Sequence, residues 1–454
     1  MLDELHNIVG DKGLLLGDAL KDHPACLFKI PRALVRPAST EEVSQVMAVC
    51  HREGQVVVTH GGRTGLVRGN DFNDTDVILS LERMGSIEEL DLKSRTMTVQ
   101  AGAVLQTVQE AAEEQQLMFP LDFGARGSAT IGGAIATNAG GNRVLRYGMT
   151  REMVLGIEAV LADGTVISSM NHVLKNNTGY DLKQLFIGSE GTLGIVTRAV
   201  LRLRPLAKSQ NTAMVAVTDF DKLVQLLGKA DCAFGGSLSS FEVMWSNYYN
   251  YIAGAGEGHQ KPIVDDYPYY VILETLGSDQ EADDVRFNSA LESIFEEELI
   301  ADAVIAQSSR EREGIWEIRD DVEAMISLYP FFIYDVSVPL SNMEAYVADV
   351  QAKLQAQWPE QRNLIFGHLG DGNIHVIAAV GSDSPEAREQ VEQIVYGCLS
   401  GRGGVISAEH GIGLEKKAHL HISRSDNEIA LMQSLKQALD SKAILNPGKI
   451  IDVA

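Results

Sequence analysis

A strand that runs directly into a glycine-rich turn is the feature that most restricts how this chain can fold. The apolar run QVVVTH at 55–60 predicts a buried strand, and the turn GGRTG at 61–65 follows it without a break. Such a turn exposes several backbone N–H groups, which can hold a pyrophosphate without using side-chain charge. No GKS or GKT follows the turn, and no GxGxxG occurs in the chain. The turn is therefore a candidate phosphate site outside the Walker A and Rossmann classes.

Two further segments built of small residues favour a bound cofactor. A single glycine-rich turn is weak evidence, because glycine is the default residue wherever φ must be positive. Here the segments at 119–141 and 188–197 also consist largely of glycine, alanine, serine and threonine. Small residues let the backbone approach a flat ligand closely. We therefore expect three separate segments of the first half of the chain to bind one cofactor.

Composition limits the classes of partner. At 454 residues the chain is long enough for two or three domains, and 45% hydrophobic content is typical of a globular protein. A formal net charge of −24 disfavours nucleic acid and anionic membrane surfaces, which attract clustered lysine and arginine. We find no apolar run of the ~18 residues that suggest a transmembrane helix, and no signal peptide at the start. The expected compartment is therefore the cytoplasm.

The pattern of elements changes near residue 207. Before it, short strands alternate with glycine-rich turns, and after it longer amphipathic helices are predicted at 281–299, 341–358 and 385–400. Strands such as YYVILETL alternate with these helices. The four cysteines form no CxxC pair, which predicts neither a disulfide framework nor a zinc knuckle. We place a domain boundary at this change of pattern.

A predicted hairpin at 363–380 carries two histidines. Asp371 and Gly372 are the residue pair that most favours a two-residue type I′ turn between strands. With that turn, residues whose numbers sum to 743 face one another, so His368 faces His375. Their Cβ atoms would then lie ~5 Å apart on one face of the sheet. The spacing predicts a pair of metal ligands, and the alternative is two histidines that simply stack across the hairpin.

A carboxylate follows this hairpin in the segment VISAEHGIG. Glu409 and His410 stand there between a strand-like run and two glycines. Two histidines and one carboxylate with open positions form a ligand set that zinc uses in catalytic sites and that other divalent metals also accept. The alternative is that Glu409 and His410 belong to a solvated loop.

A helix predicted over EGIWEIRDDVEAM carries Arg319. Its guanidinium either binds a substrate carboxylate or pairs on the surface with Glu323.

Several ordered motifs resemble one flavoprotein family. THGGRTG, SATIGGAIATNAGGNRVLRYG, GSEGTLGIVT and the terminal NPGK are similar to the vanillyl-alcohol-oxidase (PCMH-type) FAD-binding domain. GHLGDGNIH and EHGIG, in that order, resemble the FAD-dependent D-2-hydroxy-acid dehydrogenases, which include D-lactate and D-2-hydroxyglutarate enzymes. The resemblance implies an α+β fold with a two-part FAD-binding domain and an α+β cap domain with an antiparallel sheet. It implies an FAD domain at 1–207, a cap with the metal site at 208–410, and a segment at 411–454 that returns to the FAD domain.

The resemblance also implies the residues that bind FAD. They are Gly61, Gly62, Arg63, Thr64, Gly65, Leu66, Pro120, Ser128, Thr130, Gly132, Gly133, Asn138, Gly140, Gly141, Tyr147, Gly191, Gly194, Ile195 and Asn446. Some relatives attach FAD covalently through a histidine just after the paired glycines, where this chain has Arg63. Noncovalent FAD is therefore expected.

Roles in catalysis come from the same resemblance. It implies that His368, His375 and Glu409 bind a divalent metal, expected to be zinc with manganese or iron as alternatives, and that His410 is the catalytic base. Arg319 would bind the C1 carboxylate of a small D-2-hydroxy acid. A metal chelated by the substrate hydroxyl and carboxylate lowers the pKa of the alcohol, and hydride leaves C2 for flavin N5. The expected electron acceptor is a quinone or an electron-transferring flavoprotein.

Three positions depart from the D-2-hydroxyglutarate enzymes. Glu323 stands where those enzymes have threonine, Ile333 where they have lysine, and Ile377 where they have asparagine. These changes argue against a dicarboxylate held in the same way, and favour a far end that is apolar, small or cationic. Two other functions stay open, an oxidase that uses oxygen and a noncatalytic flavin subunit of an oxidase complex. The intact histidine and glutamate set disfavours the noncatalytic subunit, and the oligomeric state, including a homodimer, also stays open.

Overall fold

The computed structural model describes residues 1–254 and 261–453 and contains two compact units. The first unit comprises Met1–Gly141, Gly148–Leu206 and the residues from Glu409 onward. The second comprises Asn142–Tyr147 and Ala207–Ala408. The short segment at 142–147, which no sequence pattern separates from its neighbours, thus belongs to the second unit.

Short strands dominate the first unit and longer strands the second. The strands are β1 Leu14–Leu15, β2 Ala33–Val35, β3 Val57–His60, β4 Val77–Ser80, β5 Ile87–Asp91, β6 Thr96–Gln100, β7 Leu117–Met118, β8 Val154–Val160, β9 Val166–Ser169, β10 Ile195–Arg202, β11 Arg204–Pro205, β12 Ser209–Val217, β13 Leu238–Trp245, β14 Tyr269–Gly277, β15 Asp302–Ile305, β16 Phe332–Ser337, β17 Arg362–His368 and β18 Asn373–Ala379.

The longer helices concentrate in the second unit. The helices are α1 Leu2–Val9, α2 Thr40–Glu53, α3 Leu105–Glu113, α4 Ile131–Thr137, α5 Val144–Tyr147, α6 Thr150–Met153, α7 Lys183–Phe186, α8 Phe220–Phe234, α9 Ser246–Gly254, α10 Gln280–Glu296, α11 Ser309–Asp320, α12 Val322–Ile326, α13 Leu340–Gln357, α14 Pro385–Gly397 and α15 Asp426–Leu439. Among the described residues, none of these helices is both long and apolar enough to cross a bilayer.

Two main sheets form the first unit. One has the order β1-β2-β4-β3, in which β2, β4 and β3 run parallel. The other is antiparallel with the order β5-β6-β10-β8-β9, and its strands β8 and β9 form a hairpin whose turn contains Asp163 and Gly164. Helix α2 begins after Ser39, whose side chain caps the helix by accepting a hydrogen bond from Glu42 N–H.

One antiparallel sheet organises the second unit, with the order β15-β12-β14-β13-β17-β18-β16. Its interior strand β14 is buried from Tyr269 to Leu276, which explains the continuous apolar run in the sequence. The fold is α+β, as predicted, and the cap-type antiparallel sheet is present.

The helix predicted over EGIWEIRDDVEAM is interrupted. Asp321 has ψ 88°, which lies outside the helical region, and its carboxylate accepts a hydrogen bond from Ala324 N–H. Aspartate competes for the backbone in this way and favours helix starts over helix interiors. The segment therefore forms two helices, α11 and α12, and Arg319 lies in the last turn of α11.

Candidate functional site

A cavity of about 400 Å³ in the first unit is bordered by the glycine turn at 61–65. A smaller cavity of about 70 Å³ shares Gly61, Thr130 and Gly133 with it. Of the predicted FAD-binding residues, the following line one or both cavities: Gly61, Gly62, Arg63, Thr64, Gly65, Leu66, Thr130, Gly132, Gly133, Gly140, Gly191, Gly194, Ile195 and Asn446. Pro120, Ser128, Asn138 and Gly141 belong to the same unit but do not line these cavities, and Tyr147 belongs to the second unit.

The glycine turn is shaped by close contact with one neighbouring segment. A Cβ atom on Gly62 would lie 2.1 Å from the Ser128 carbonyl oxygen, and one on Gly61 would lie 2.6 Å from Thr130 Oγ1. Gly65 differs, because no protein atom lies within 4 Å of the position of its Cβ. The packing of the chain itself therefore requires glycine at 61 and 62, while Gly65 leaves room beside the cavity.

The small-residue segment around α4 also packs closely. Thr130 accepts a hydrogen bond from Gly133 N–H at 3.3 Å and so caps α4. A Cβ on Gly132 would lie 2.7 Å from Ala101 Cβ, and one on Gly140 would lie 2.5 Å from Glu409 Oε1. These glycines let the backbone form the wall of the cavity, to which Glu409 and His410 also belong.

Glu190 lines both cavities and was missed by the sequence analysis. Its Oε1 accepts a hydrogen bond from Ile412 N–H at 2.7 Å, and its Oε2 accepts one from Gly413 N–H at 2.9 Å. Burial raises the pKa of this carboxyl, although the two backbone hydrogen bonds act in the opposite direction. Glu190 therefore holds the loop that follows His410. The glycines of the GSEG pattern indicate a close approach of backbones. Nothing in the pattern distinguishes Glu190 from a solvent-exposed glutamate.

The NPGK motif attaches the C-terminal segment to the glycine turn. Asn446 Oδ1 accepts a hydrogen bond from Thr59 N–H at 2.9 Å, and its Nδ2 donates to the Glu190 carbonyl at 2.7 Å. Lys449 donates to the Asp71 carbonyl at 2.7 Å. Burial lowers the pKa of Lys449 to about 8. Residues at the end of the chain thus brace the strand that leads into the turn.

The histidine hairpin in the second unit has a different register from the predicted one. His368 pairs with Asn373, and Phe366 pairs with His375, so facing residues have numbers that sum to 741 and the two-residue turn was wrong. Residues Leu369–Asp371 form a single 3-10 turn instead. Leu369 is fully buried there, and a Cβ on Gly370 would lie 2.8 Å from Leu145 Cδ1. Burial of this apolar residue and close packing on α5 account for the longer turn.

The two histidines are nevertheless close, as diagonal neighbours on one face of the sheet. Their ring centroids lie 5.5 Å apart and the rings are nearly perpendicular, at 80°. His375 also pairs across the sheet with Asp335 on β16, and the Asp335 carboxylate accepts a hydrogen bond from Ala408 N–H at 2.9 Å. Ala408 directly precedes Glu409 in the chain. The backbone before Glu409 is thus fixed to the strand that pairs with His375.

A buried glutamate joins one of these histidines to the predicted substrate arginine. Glu242 on β13 lies with Oε1 2.6 Å from His368 Nδ1, and its Oε2 accepts a hydrogen bond from Arg319 Nε at 2.9 Å. Burial by itself raises the pKa of Glu242, but the interactions with His368 and Arg319 act in the opposite direction and the net shift is downward. The Arg319 guanidinium also lies 4.6 Å from the centre of the Phe366 ring.

Arg319 is therefore buried rather than paired on the surface, with 7% of its area exposed. The side chain of Glu323, the predicted alternative partner, lies outside the described residues. Sequence reasoning missed Glu242, although a charged residue inside the buried strand LSSFEVMW is the kind of signal that finds such sites.

Ile333 and Ile377 face each other across β16 and β18, and Ile377 is two positions after His375 on the same face.

Comparisons with known proteins agree with the two-unit fold. A family model described as "FAD binding domain" matches residues 31–169, and one described as "FAD linked oxidases, C-terminal domain" matches 206–450. The chain is 40% identical over 429 residues to a D-2-hydroxyglutarate dehydrogenase of Xanthomonas citri pv. viticola, with 93% of this chain and 89% of that one covered. It is 37% identical to the mitochondrial D-2-hydroxyglutarate dehydrogenase of Bos taurus, with 92% and 77% covered.

A more distant relative and two solved structures extend the comparison. A putative mitochondrial D-lactate dehydrogenase of Schizosaccharomyces pombe is 35% identical, with 92% of this chain and 81% of that one covered. The structure of p-cresol methylhydroxylase with substrate bound superimposes with a TM-score of 0.76 at 18% identity, over 99% of this chain and 96% of that one. An alkyldihydroxyacetonephosphate synthase gives a TM-score of 0.75 at 17% identity, with 98% and 85% covered. At these identities the structures show a shared fold alone.

Proposed function

We propose that this chain, which belongs to the FAD-dependent D-2-hydroxy-acid dehydrogenases of the vanillyl-alcohol-oxidase type, oxidises a D-2-hydroxy acid with a short or apolar far end to the 2-oxo acid. This proposal rests on the buried Glu242, which contacts both His368, the proposed metal ligand, and Arg319, the proposed substrate-binding residue. Facing Ile333 and Ile377 support the apolar far end. The names of the relatives favour a second candidate substrate, D-2-hydroxyglutarate.

We propose that FAD binds noncovalently in the cavity of the first unit. The turn at 61–65 offers backbone N–H groups, and the space beside Gly65 suits a ligand that approaches the backbone closely. Bound there, FAD would supply the acceptor for the hydride that leaves substrate C2. Acid precipitation should release all yellow colour from the purified protein. Colour that stays with the precipitate would contradict noncovalent binding.

We also propose that His368, His375 and Glu409 supply the donors for a divalent metal ion, because two histidines and one carboxylate are a ligand set that such ions accept. The diagonal histidine pair and the anchored Ala408 before Glu409 support this proposal. Zinc is the expected ion, and manganese or iron suit the same donors. Bound by these residues, the ion would supply a Lewis acid that lowers the pKa of the substrate alcohol.

The remaining steps fall to side chains of this chain. Arg319 would bind the C1 carboxylate, since its Nε is already held by Glu242 and its guanidinium lies against Phe366. His410 borders the cavity of the first unit and would take the proton from the substrate hydroxyl as a neutral imidazole. Glu190 would keep His410 in place through Ile412 and Gly413. The first unit would thus bind FAD and the second the substrate.

A panel of D- and L-2-hydroxy acids tests this function by bleaching of the flavin under anaerobic conditions. D-lactate and longer apolar D-acids should reduce the flavin faster than D-2-hydroxyglutarate. Faster reduction by D-2-hydroxyglutarate would shift the proposal to the second candidate. The same reduced enzyme, mixed with oxygen or with a quinone, distinguishes an oxidase from the proposed dehydrogenase, and a flavin that no acid reduces would favour the noncatalytic subunit.

A further inference from the structure

Glu242 occupies a position that no motif assigned. It lies on β13 directly opposite His368 on β17, and 1% of its area is exposed. A buried charge is costly unless it is paired and hydrogen-bonded. Here both carboxylate oxygens are used, Oε1 by His368 Nδ1 at 2.6 Å and Oε2 by Arg319 Nε at 2.9 Å. These two partners offset the cost of burying the charge.

The contact with His368 determines which ring nitrogen can bind a metal. An ionised carboxylate is an acceptor only, so the hydrogen bond requires a proton on Nδ1 of His368. In a neutral imidazole the other nitrogen, Nε2, then carries the lone pair. A carboxylate that accepts from the non-ligating nitrogen fixes both the tautomer and the ring orientation of a metal-binding histidine.

The contact with Arg319 fixes the guanidinium in the same way. Glu242 takes the Nε–H bond, and the Phe366 ring lies under the guanidinium at 4.6 Å. Phe366 is two residues before His368 on the same face of β17. The carboxylate of Glu242 and the strand β17 therefore hold both His368 and Arg319 in position.

We propose that Glu242 is a positioning residue that directs Nε2 of His368 toward a metal ion and orients Arg319 for the substrate carboxylate. This inference rests on the proposed metal site. It makes metal affinity depend on a residue that does not bind the metal, and it links the metal and substrate sites through one side chain.

Zinc affinity of the FAD-loaded enzyme, measured by competition with a fluorescent chelator, tests the proposal. Glu242→Gln should bind zinc about 10 to 100-fold more weakly than the wild type, the usual effect of losing such a partner. Glu274→Gln is the matched control, because Glu274 is a buried glutamate on the neighbouring strand β14 that instead accepts hydrogen bonds from Gln210, Thr212 and Trp316. The zinc affinity of Glu274→Gln should match that of the wild type.

Equal zinc affinity of Glu242→Gln and wild type would overturn the inference, whereas a wild type that binds no zinc would overturn the proposed metal site.

A second measurement needs no variant at position 242. In wild-type enzyme labelled with ¹⁵N-histidine and loaded with ¹¹³Cd, the metal should couple to Nε2 of His368, assigned by comparison with His368→Gln. Coupling to Nδ1 would overturn the inference even if Glu242→Gln fails to fold. Absence of coupling to either nitrogen, in enzyme shown to hold cadmium, would contradict His368 as a ligand and so the metal site itself.

Discussion

Gly62 and Gly65 are three positions apart in one turn, and the structure gives them different requirements. A side chain on Gly62 would overlap the Ser128 carbonyl, whereas a side chain on Gly65 would meet no protein atom. Gly62→Ala should therefore destabilise the FAD-free protein by ~1–3 kcal/mol, a typical cost of overpacking. Gly65→Ala should leave that stability within ~0.5 kcal/mol and weaken FAD binding. Urea unfolding of the FAD-free protein and FAD titration measure both effects, and equal destabilisation by the two variants would contradict this account of the turn.

His410 is the residue to which we assign proton transfer. His410→Ala should slow flavin reduction by ~10²–10⁴-fold, the usual range for a lost general base. The flavin absorption spectrum should stay close to that of the wild type, because His410 is one of many residues around the cavity. Stopped-flow reduction with a D-2-hydroxy acid measures the rate. Loss of FAD from His410→Ala, rather than loss of rate, would mean that the residue is structural.

Lys449 connects stability to pH. Burial lowers its pKa to about 8 in the folded protein, below the ~10.4 of a free lysine. The unfolded chain binds the proton of Lys449 more tightly than the folded protein does. The contribution of Lys449 to the free energy of unfolding is therefore most favourable above pH ~10.4, and it is lost as the pH falls through about 8. The wild type should therefore gain stability relative to Lys449→Met between pH 8 and pH 10, by at most ~3 kcal/mol. Urea unfolding of both proteins at the two pH values tests this, and a constant difference would show that Lys449 keeps an ordinary pKa.

At the scale of elements, the facing isoleucines on β16 and β18 are expected to set the preference for the far end of the substrate. The double change Ile333→Lys and Ile377→Asn introduces, at a directly paired position, the residues that we expect in the D-2-hydroxyglutarate enzymes. It should raise kcat/KM for D-2-hydroxyglutarate relative to D-lactate by about 10-fold, which corresponds to about 1.4 kcal/mol. Steady-state assays with both acids give the ratio. An unchanged ratio would mean that neither side chain contacts the substrate.

Regular elements were predictable because their patterns are local. The apolar spacing in 281–299, 341–358 and 385–400 predicted α10, α13 and α14 to within a few residues at each end. The turn of the histidine hairpin was not predictable in this way, because it depends on the burial of Leu369 and on contact with α5, which is far away in the sequence. The local sequence favours a type I′ turn, but the tertiary contact with α5 determines the turn that forms. The histidines stayed close because diagonal neighbours on a sheet are still within reach.

The candidate site shows the same division. Glycine motifs located two of the segments that line the first cavity, 61–65 and 119–141, because a close approach of backbones demands glycine whatever the partner is. Glu190 and Glu242 were missed, because each is defined by partners that are distant in the chain, Ile412 for Glu190 and His368 for Glu242. A single sequence does not reveal which charged residues are buried with such partners.

At the scale of the whole molecule, the first unit depends on residues from the end of the chain. Asn446 bonds to Thr59 across 387 positions, and Leu445 bridges to Val57 on the strand before the glycine turn. The first unit therefore completes its sheet edge only when the C-terminal segment is present. Asn446→Ala should loosen both the strand and Glu190, and so lower FAD affinity more than the exposed change Gln437→Ala on α15. Equilibrium titration with FAD compares the two variants, and equal affinities would contradict this role for the C-terminal segment.

The central claim is that a D-2-hydroxy acid reduces a flavin on this chain with the help of a divalent metal ion. Anaerobic single-turnover reduction, followed at the flavin absorption maximum with the best D-acid and its L-enantiomer, tests it most directly. The account predicts rapid bleaching by the D-acid alone, loss of that bleaching after treatment with a chelator, and recovery when zinc, manganese or iron is added back. Bleaching that is unaffected by complete removal of the metal would contradict the metal site, and a flavin that no D-2-hydroxy acid reduces would contradict the proposed function.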